Sequence, residues 1–533
     1  MYAKCPHDII KSPNTEANSY RISIFYCFCS QNEHILEVDR MKSFNRKSTS
    51  LFLALFMVLL ASCASSEGTA ETTTAEPAGS VTETETEAEI MDAVPELDFG
   101  GESLTYTTVS WYDYEIYAEE QNGEITNDSV FNRNKKMEER FNVVIESIPV
   151  DNGSHTEHPN YIRKSIMAQD NSFDIAATFV YTAGTLVLEN LFLDWTEIPY
   201  VDLTQPWWVK NINNAFTVND TLYTAVSDTC ITSLQLAYAY LFNEKLAANY
   251  DVEDLYAVVE EGRWTLDYLY NLTKDLYLDV NGDGTRDTGD FYGLLTDINT
   301  SVDCYLMTSG QPILNVTDNG FEVMLGTDKA NQIYEKVYRL IYENDGTFWY
   351  WHGNQGYMYD DKYAIFKKDS ALVMPVRLSA LYNQLRDMES NYGILPFPKY
   401  DESQSEYYST CLDNYSVLCI PNNAENPEMI GALSEAMACE SKKTVIPAYY
   451  ESALQGKYSR DAKSVEMLDL IMDGRTYDLS VLYSASAGGA YGLFTSTMRS
   501  GNMFASAYAA SEKKIKNSVE KLYTQLMELG EPS

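Results

Sequence analysis

Between Leu104 and Phe179 the apolar residues alternate between a period of two and a helical period, and that rhythm restricts the fold more than any other feature of the chain. Residues 104–109 form a β-rich run. Asn127 or Asp128 then stands where a helix cap is expected, ahead of an apolar stripe of Val130, Met137 and Phe141, and residues 143–148 return to an extended pattern. Ile162 and Ile166 mark a second helix, and residues 173–179 a third strand. Strand, helix, strand, helix, strand is the signature of a parallel sheet, because a parallel neighbour can only be reached by a long return connection. The fold class is therefore α/β.

Later segments supply a second set of elements. Residues 217–225 around Asn219-Asp220 read as a hairpin, and Leu234, Leu236, Tyr238, Tyr240 and Phe242 alternate at period two, as in a strand entering a second sheet. Thr265 caps a helix carrying Leu266, Leu269, Leu272 and Leu276. Residues 347–352 are an aromatic cluster expected in a loop, and residues 371–376 a short strand running into Arg377. Residues 393–398 are extended, with prolines that keep them out of a sheet interior. Asn426 with Pro427 starts a helix through Met437, and Ile515, Val519, Leu522 and Leu526 give the last helix one buried face.

A chain of 533 residues exceeds what one hydrophobic core ordinarily holds, so two lobes are expected. Ahead of them lies a leader: Lys42, Arg46 and Lys47, the apolar run 51–60, and Leu60-Ala61-Ser62-Cys63. Ten apolar residues fall short of the roughly 20 that a spanning helix needs, which makes residues 41–62 a signal peptide. Its last four residues resemble a bacterial lipobox, which implies cleavage before Cys63, a diacylglyceride on that sulfur, and attachment to the outer face of the membrane through lipid alone. Residues 1–40 fit no targeting pattern and are expected to be an over-long start. Residues 63–96, rich in Thr, Glu, Ala and Ser, read as an acidic flexible tether.

A net charge of −40 repels phosphate backbones and sets nucleic-acid binding aside. Beyond Cys63 the cysteines are Cys230, Cys304, Cys411, Cys419 and Cys439, too dispersed for a disulfide framework and expected mostly as small buried hydrophobes. HExxH, GxSxG and phosphate-loop motifs are lacking, and His155-Thr156-Glu157-His158 reads as a solvated histidine pair rather than a zinc site.

The most specific motif runs from Asp279 to Asp290. Asp279, Asn281, Asp283, Asp287 and Asp290 occupy positions 1, 3, 5, 9 and 12 of an EF-hand-like loop, Thr285 offers its carbonyl at 7, and Gly284 stands at 6 for the sharp turn. The aspartate at the twelfth position departs from the usual glutamate. These six residues are the expected ligands of a structural calcium ion. The chain also holds 41 Tyr and 7 Trp, and exposed rings give sugar faces a flat apolar platform.

A series of local strings extends this reading: Pro206-Trp207-Trp208 before Leu222-Tyr223-Thr224-Ala225, Phe242-Asn243-Glu244-Lys245-Leu246, Gly262-Arg263-Trp264-Thr265, Tyr292-Gly293-Leu294 after the calcium-like loop, residues 393–399, and Pro447-Ala448-Tyr449-Tyr450-Glu451. With the lipobox and tether, their order resembles the extracellular solute-binding lipoproteins of ABC transporters, the maltose-binding-type family, over roughly residues 97–533. The resemblance implies a two-lobed periplasmic-binding-protein-like fold of type II, each lobe a mostly parallel sheet flanked by helices and joined by a hinge. It implies a monomer that captures a sugar or oligosaccharide and hands it to a permease, without catalysis. A secreted carbohydrate-active enzyme and a peptide-binding protein are the alternatives. The first lobe is expected over 97–225 plus 370–410, the second over 226–369 plus 411–533. Placement after strand ends or at crossings nominates Trp111, Tyr112, Tyr181, Trp207, Asp228, Trp349 and Arg377 as ligand contacts.

Overall fold

The computed structural model describes residues 90–529 apart from 152, 154, 299–300, 318, 351–360, 412 and 455–461. The leader, Cys63 and most of the tether lie outside the described residues, as do Trp351 and His352. The remainder belongs to one compact unit, Glu87–Ser533. Among the described residues no helix is long and apolar enough to cross a membrane.

The strands are, in chain order, β1 (Glu102–Val109), β2 (Val143–Val150), β3 (Ile175–Phe179), β4 (Tyr238–Asn243), β5 (Tyr277–Leu278), β6 (Phe291–Asp297), β7 (Leu314–Thr317), β8 (Gly320–Val323), β9 (Thr347–Tyr350), β10 (Ala371–Arg377), β11 (Tyr392–Leu395) and β12 (Ser416–Cys419). A first sheet has the order β12-β3-β1-β2, and a second the order β11-β4-β10-β6-β5 with β9 on β6. As the sequence rhythm requires, β1 runs parallel to β2 and to β3, with Glu102 opposite Val143 and Tyr106 opposite Ile175. The return connections are helices α1 (Ile125–Phe141) and α2 (Glu157–Ala168). The cap of α1 is Glu124 rather than Asn127 or Asp128: its carboxylate accepts the Asn127 amide at 2.7 Å. Residues 219 and 220 have φ of 51° and 60°, and Val218 bridges Thr221, so the expected hairpin is a tight turn with both central residues left-handed.

The strand β4 begins only at Tyr238, since Leu234 lies in the short helix Thr232–Gln235 and Leu236 caps its end, yet from Tyr238 on it shows why period two was readable in a strand buried on both faces. Ala239 and Leu241 pack into one apolar cluster, which also holds the first-sheet residues Leu104, Tyr106 and Ile175. Tyr238, Tyr240 and Phe242 point the other way, into a second cluster with Trp264, Leu294 and Phe397. Thr265 caps the helix Leu266–Thr273 through the Tyr268 amide, and Asn426 caps Pro427–Glu440 through Met429, both as expected. The helix Phe504–Leu529 buries Ile515, Val519, Leu522 and Leu526. Residues Thr347–Tyr350, expected in a loop, form β9 parallel to β6, because their aromatic side chains suit a half-buried pleat.

Lobe membership departs from the sequence division at two places. β10 and β11 pair with β4 in the second sheet, although residues 370–410 were expected in the first lobe. β12 pairs with β3 in the first sheet, although residues 411–533 were expected in the second. Each strand is a short apolar run that would satisfy either sheet, so its own residues do not identify its partner.

The chain crosses between the sheets in three segments that lie side by side. Residues 226–237 lead from the first sheet into β4, residues 408–415 lead from the second into β12, and residues 474–478 pass beside them. Tyr238 donates its amide to the Thr410 carbonyl, Ala237 bridges Cys411, and Ser409 bridges Arg475. The five described cysteines are all free and buried.

Candidate functional site

Strand ends on the first sheet gather a group of rings. Phe179, fully buried, ends β3 and starts helix α3 (Val180–Leu188). Around it stand Trp111 at 6.0 Å, Tyr112 at 5.6 Å, His155 at 6.0 Å and Tyr181 at 5.7 Å between ring centroids. Trp111 is 36% exposed and meets His155 edge-on at 5.5 Å. The His155 ring is hydrogen-bonded to the Tyr181 hydroxyl. Burial pushes the Tyr112 phenol up to about 12, while the charge of Arg377, at the end of β10 on the second sheet, pulls it back. Trp111, Tyr112 and Tyr181 thus come together around Phe179 where open α/β sheets hold ligands, outside the carboxyl ends of parallel strands, and Arg377 acts on Tyr112 through its charge.

Opposite the rings the crossing segments and second sheet contribute carboxyls and donors. Asn414 donates through Nδ2 to the Tyr112 hydroxyl at 3.0 Å. Asp413 is beside it in sequence, and burial raises its carboxyl. Burial pushes Asp303, on the helix Ser301–Thr308, up to about 6, although the Thr495 amide donates to it at 3.2 Å. Arg499 draws Asp303 down and Asp413 drives it up. The charge of Asp413 also raises Tyr181 and Tyr491. Sequence reasoning missed His155, Phe179, Asp413 and Tyr491. His155 was expected in solvent, and no local pattern marks Asp413, whose setting arises only where distant segments cross. His158 is likewise not solvated: it is buried on α2 between the Thr107 and Thr178 hydroxyls at 3.2 Å each, and burial lowers its pKa to about 4.

Three nominated residues lie elsewhere. Asp228 is buried within the first crossing segment, 3.1 Å from Arg475 and 3.6 Å from Lys442. Burial raises its carboxyl and both cations lower it. Arg475 also donates to the Ser233 hydroxyl at 2.7 Å and to the Met472 carbonyl at 3.0 Å, so the pair ties the first crossing to the third. Trp207 is 2% exposed and donates its indole N–H to Glu435 at 3.0 Å, as Trp208 does at 2.8 Å. Trp349 packs edge-on against Tyr342 at 5.0 Å, within the second sheet's own apolar layer.

Close to the rings, Glu115 joins the first sheet to the hinge. It is fully buried, accepts the Thr232 amide at 2.8 Å and the Thr232 hydroxyl at 3.2 Å, and burial pushes it up to about 7. A separate concavity of about 800 Å³ is lined, among the described residues, by the helices Asp361–Lys367 and Ser379–Asn383 and the turn after them, with Lys367 and Asp387 paired at 3.0 Å. No strand residue is among the described residues that line it, whereas the ring group follows directly on β1 and β3.

The 279–290 loop has the expected backbone. Gly284 has φ of 75°, and its amide donates to Asp279 at 2.9 Å; Asp283 caps the Thr285 amide and Asp287 the Gly289 amide, each at 2.7 Å. Asp290 is buried and accepts from the Tyr277 hydroxyl at 3.1 Å and the Val280 amide at 3.2 Å, while Asn281 donates to Asp283 at 3.0 Å. Among the described residues no three His, Cys, Asp or Glu side chains gather as metal ligands. The turn fits a calcium loop, whereas the carboxylates are engaged with amides and phenols rather than converging on a point.

No family model and no curated protein matches the chain. Among solved structures it is similar to the crystal structure of cyclo/maltodextrin-binding protein complexed with maltotetraose, at a TM-score of 0.53 and 13% identity, over 79% of this chain and 98% of that one. At this identity the likeness is one of fold: two α/β lobes, each a sheet flanked by helices.

Proposed function

We propose that this chain is a solute-binding protein that captures a carbohydrate, in particular an oligosaccharide, between its two sheets and releases it unchanged to the permease of an ABC transporter. The observation that carries the proposal is the ring group around Phe179, where the partly exposed rings of Trp111, Tyr112 and Tyr181 offer apolar surface at the strand ends and Asn414 bonds the Tyr112 hydroxyl. The fold it shares with a maltodextrin-binding protein supports the reading. A lipid on Cys63 would hold the protein beside its transporter, since two acyl chains provide a stable anchor. Binding would follow from a solute that touches both walls and therefore prefers the closed arrangement.

Calorimetric titration with maltotetraose, other neutral oligosaccharides and short peptides tests this. Saturable heat is expected with at least one oligosaccharide, and chromatography should recover the sugar intact. The Trp111→Ala variant should bind about tenfold or more weakly, a loss of about 1.4 kcal/mol, as for an aromatic anchor. Heat from peptides with none from any sugar would favour the peptide alternative, and shortened products would favour the enzyme.

The same proposal includes a structural calcium ion in the loop from Asp279 to Asp290, for which the backbone turn at Gly284 is the support. Calcium should raise the melting temperature of the protein, and the shift should vanish in an Asp279→Asn, Asp283→Asn double variant. Equal melting with calcium and with chelator would remove the ion from the account.

A further inference from the structure

Each of the three parallel strands of the first sheet runs into a segment that reaches the ring group. Trp111 and Tyr112 follow β1, Tyr181 follows β3, and His155 lies in the connection from β2 to α2. The imidazole of His155 touches two of the other rings. Its Nδ1 is hydrogen-bonded to the Tyr181 hydroxyl, and it meets the Trp111 indole edge-on at 5.5 Å, with 77° between the planes. Buried Phe179 packs against all three, at 6.0 Å from His155, 6.0 Å from Trp111 and 5.7 Å from Tyr181. Trp111 and Tyr181 therefore share two neighbours, Phe179 and His155.

The backbone that carries this imidazole is itself out of the ordinary. His155 has φ of 63°, a left-handed conformation that glycine adopts without steric cost and a residue with a Cβ does not. Such a conformation is kept where the surroundings over-determine it, and it recurs at binding sites. The contacts that hold His155 there include the ones to Tyr181 and Trp111. Burial lowers its pKa, against an opposing pull from Glu157, so the ring is uncharged at neutral pH and suits its apolar neighbours.

We propose that His155 is a positioning residue of the solute site, fixing the Tyr181 and Trp111 rings in the orientation that receives a sugar. The inference rests on the carbohydrate reading and deepens it by naming what holds the sugar-facing rings. A side chain ordered before binding gives up less freedom when the ligand arrives, and the difference appears in the affinity.

Calorimetry on the purified full chain with maltotetraose, cellotetraose and xylotetraose tests the assignment. Toward a sugar that binds, His155→Gly should be about tenfold weaker, because two ring side chains regain rotamer freedom. Its melting temperature should stay close to that of the unsubstituted protein, since glycine suits the backbone. His155→Asn places an amide where Nδ1 stands, keeps a partner for the Tyr181 hydroxyl, and should recover part of the affinity. Tyr181→Phe removes the same bond from its other end and should also weaken binding. In that background His155→Gly should cost clearly less than it does alone, because the two residues act as a unit. Unchanged affinity in His155→Gly, or full additivity with Tyr181→Phe, overturns this inference and leaves carbohydrate capture standing. A steep fall in the melting temperature of both His155 variants assigns the residue to the fold and overturns it too. If the glycine variant alone folds poorly, His155→Asn and Tyr181→Phe decide, and unchanged affinity in Tyr181→Phe overturns it. Failure of every sugar to bind overturns this inference and the carbohydrate reading together.

Discussion

Arg475→Met is expected to lower the stability of the protein by about 3–5 kcal/mol, the cost of leaving a buried charge without its partner. Arg475 is 3% exposed and Asp228 1% exposed, so neither can exchange its partner for water. Removing the guanidinium also takes one hydrogen bond each from the Ser233 hydroxyl, which still donates to the Cys230 carbonyl, and the Met472 carbonyl, which still accepts the amide of residue 475. Lys442, at 3.6 Å and partly exposed, remains to compensate Asp228, which favours the lower end of that range. Adding Asp228→Asn should recover part of the loss, because it removes the stranded charge. Urea unfolding followed by circular dichroism measures both variants, and a loss under about 1 kcal/mol for Arg475→Met would show that the pair does not hold the crossings together.

Glu435→Ala should be nearly as damaging. The carboxylate is 2% exposed and accepts from the Trp207 indole, the Trp208 indole and the Asp202 amide, at 3.0, 2.8 and 3.2 Å. Each donor left buried and unpaired costs about 1–3 kcal/mol, so a total of about 3 kcal/mol or more is expected. Trp195 stacks edge-on on Trp208 at 5.6 Å, and its own N–H bonds the Leu418 carbonyl of β12, so the loss should spread into the first sheet. Tryptophan emission should shift to the red at denaturant concentrations where the unsubstituted protein is still folded. Unchanged emission and midpoint would mean that the indoles find other acceptors.

These two clusters explain which parts of the molecule were legible in its sequence. The period changes from Leu104 to Phe179 gave the parallel β1, β2 and β3, and the caps at Thr265 and Asn426 gave helix starts, because those signals are local. The partners of β10, β11 and β12 were not legible, since pairing is decided by segments far apart in the chain. The same divide runs through the site. Trp111, Tyr112, Tyr181 and Arg377 follow strand ends, and that rule nominates them. Trp207 and Asp228 obey the rule equally well on paper, yet Glu435 and Arg475, more than two hundred residues away in sequence, draw them into the core and the hinge. Asp413 carried no signal, because its setting arises where the crossings meet.

Small-angle scattering of the protein with and without a saturating oligosaccharide identified by calorimetry tests the central claim most directly. Capture between two sheets joined by three crossing segments predicts a ligand-dependent contraction of the radius of gyration, and Trp111→Ala should need more sugar to reach it. A radius that stays constant while calorimetry reports a filled site would contradict the account.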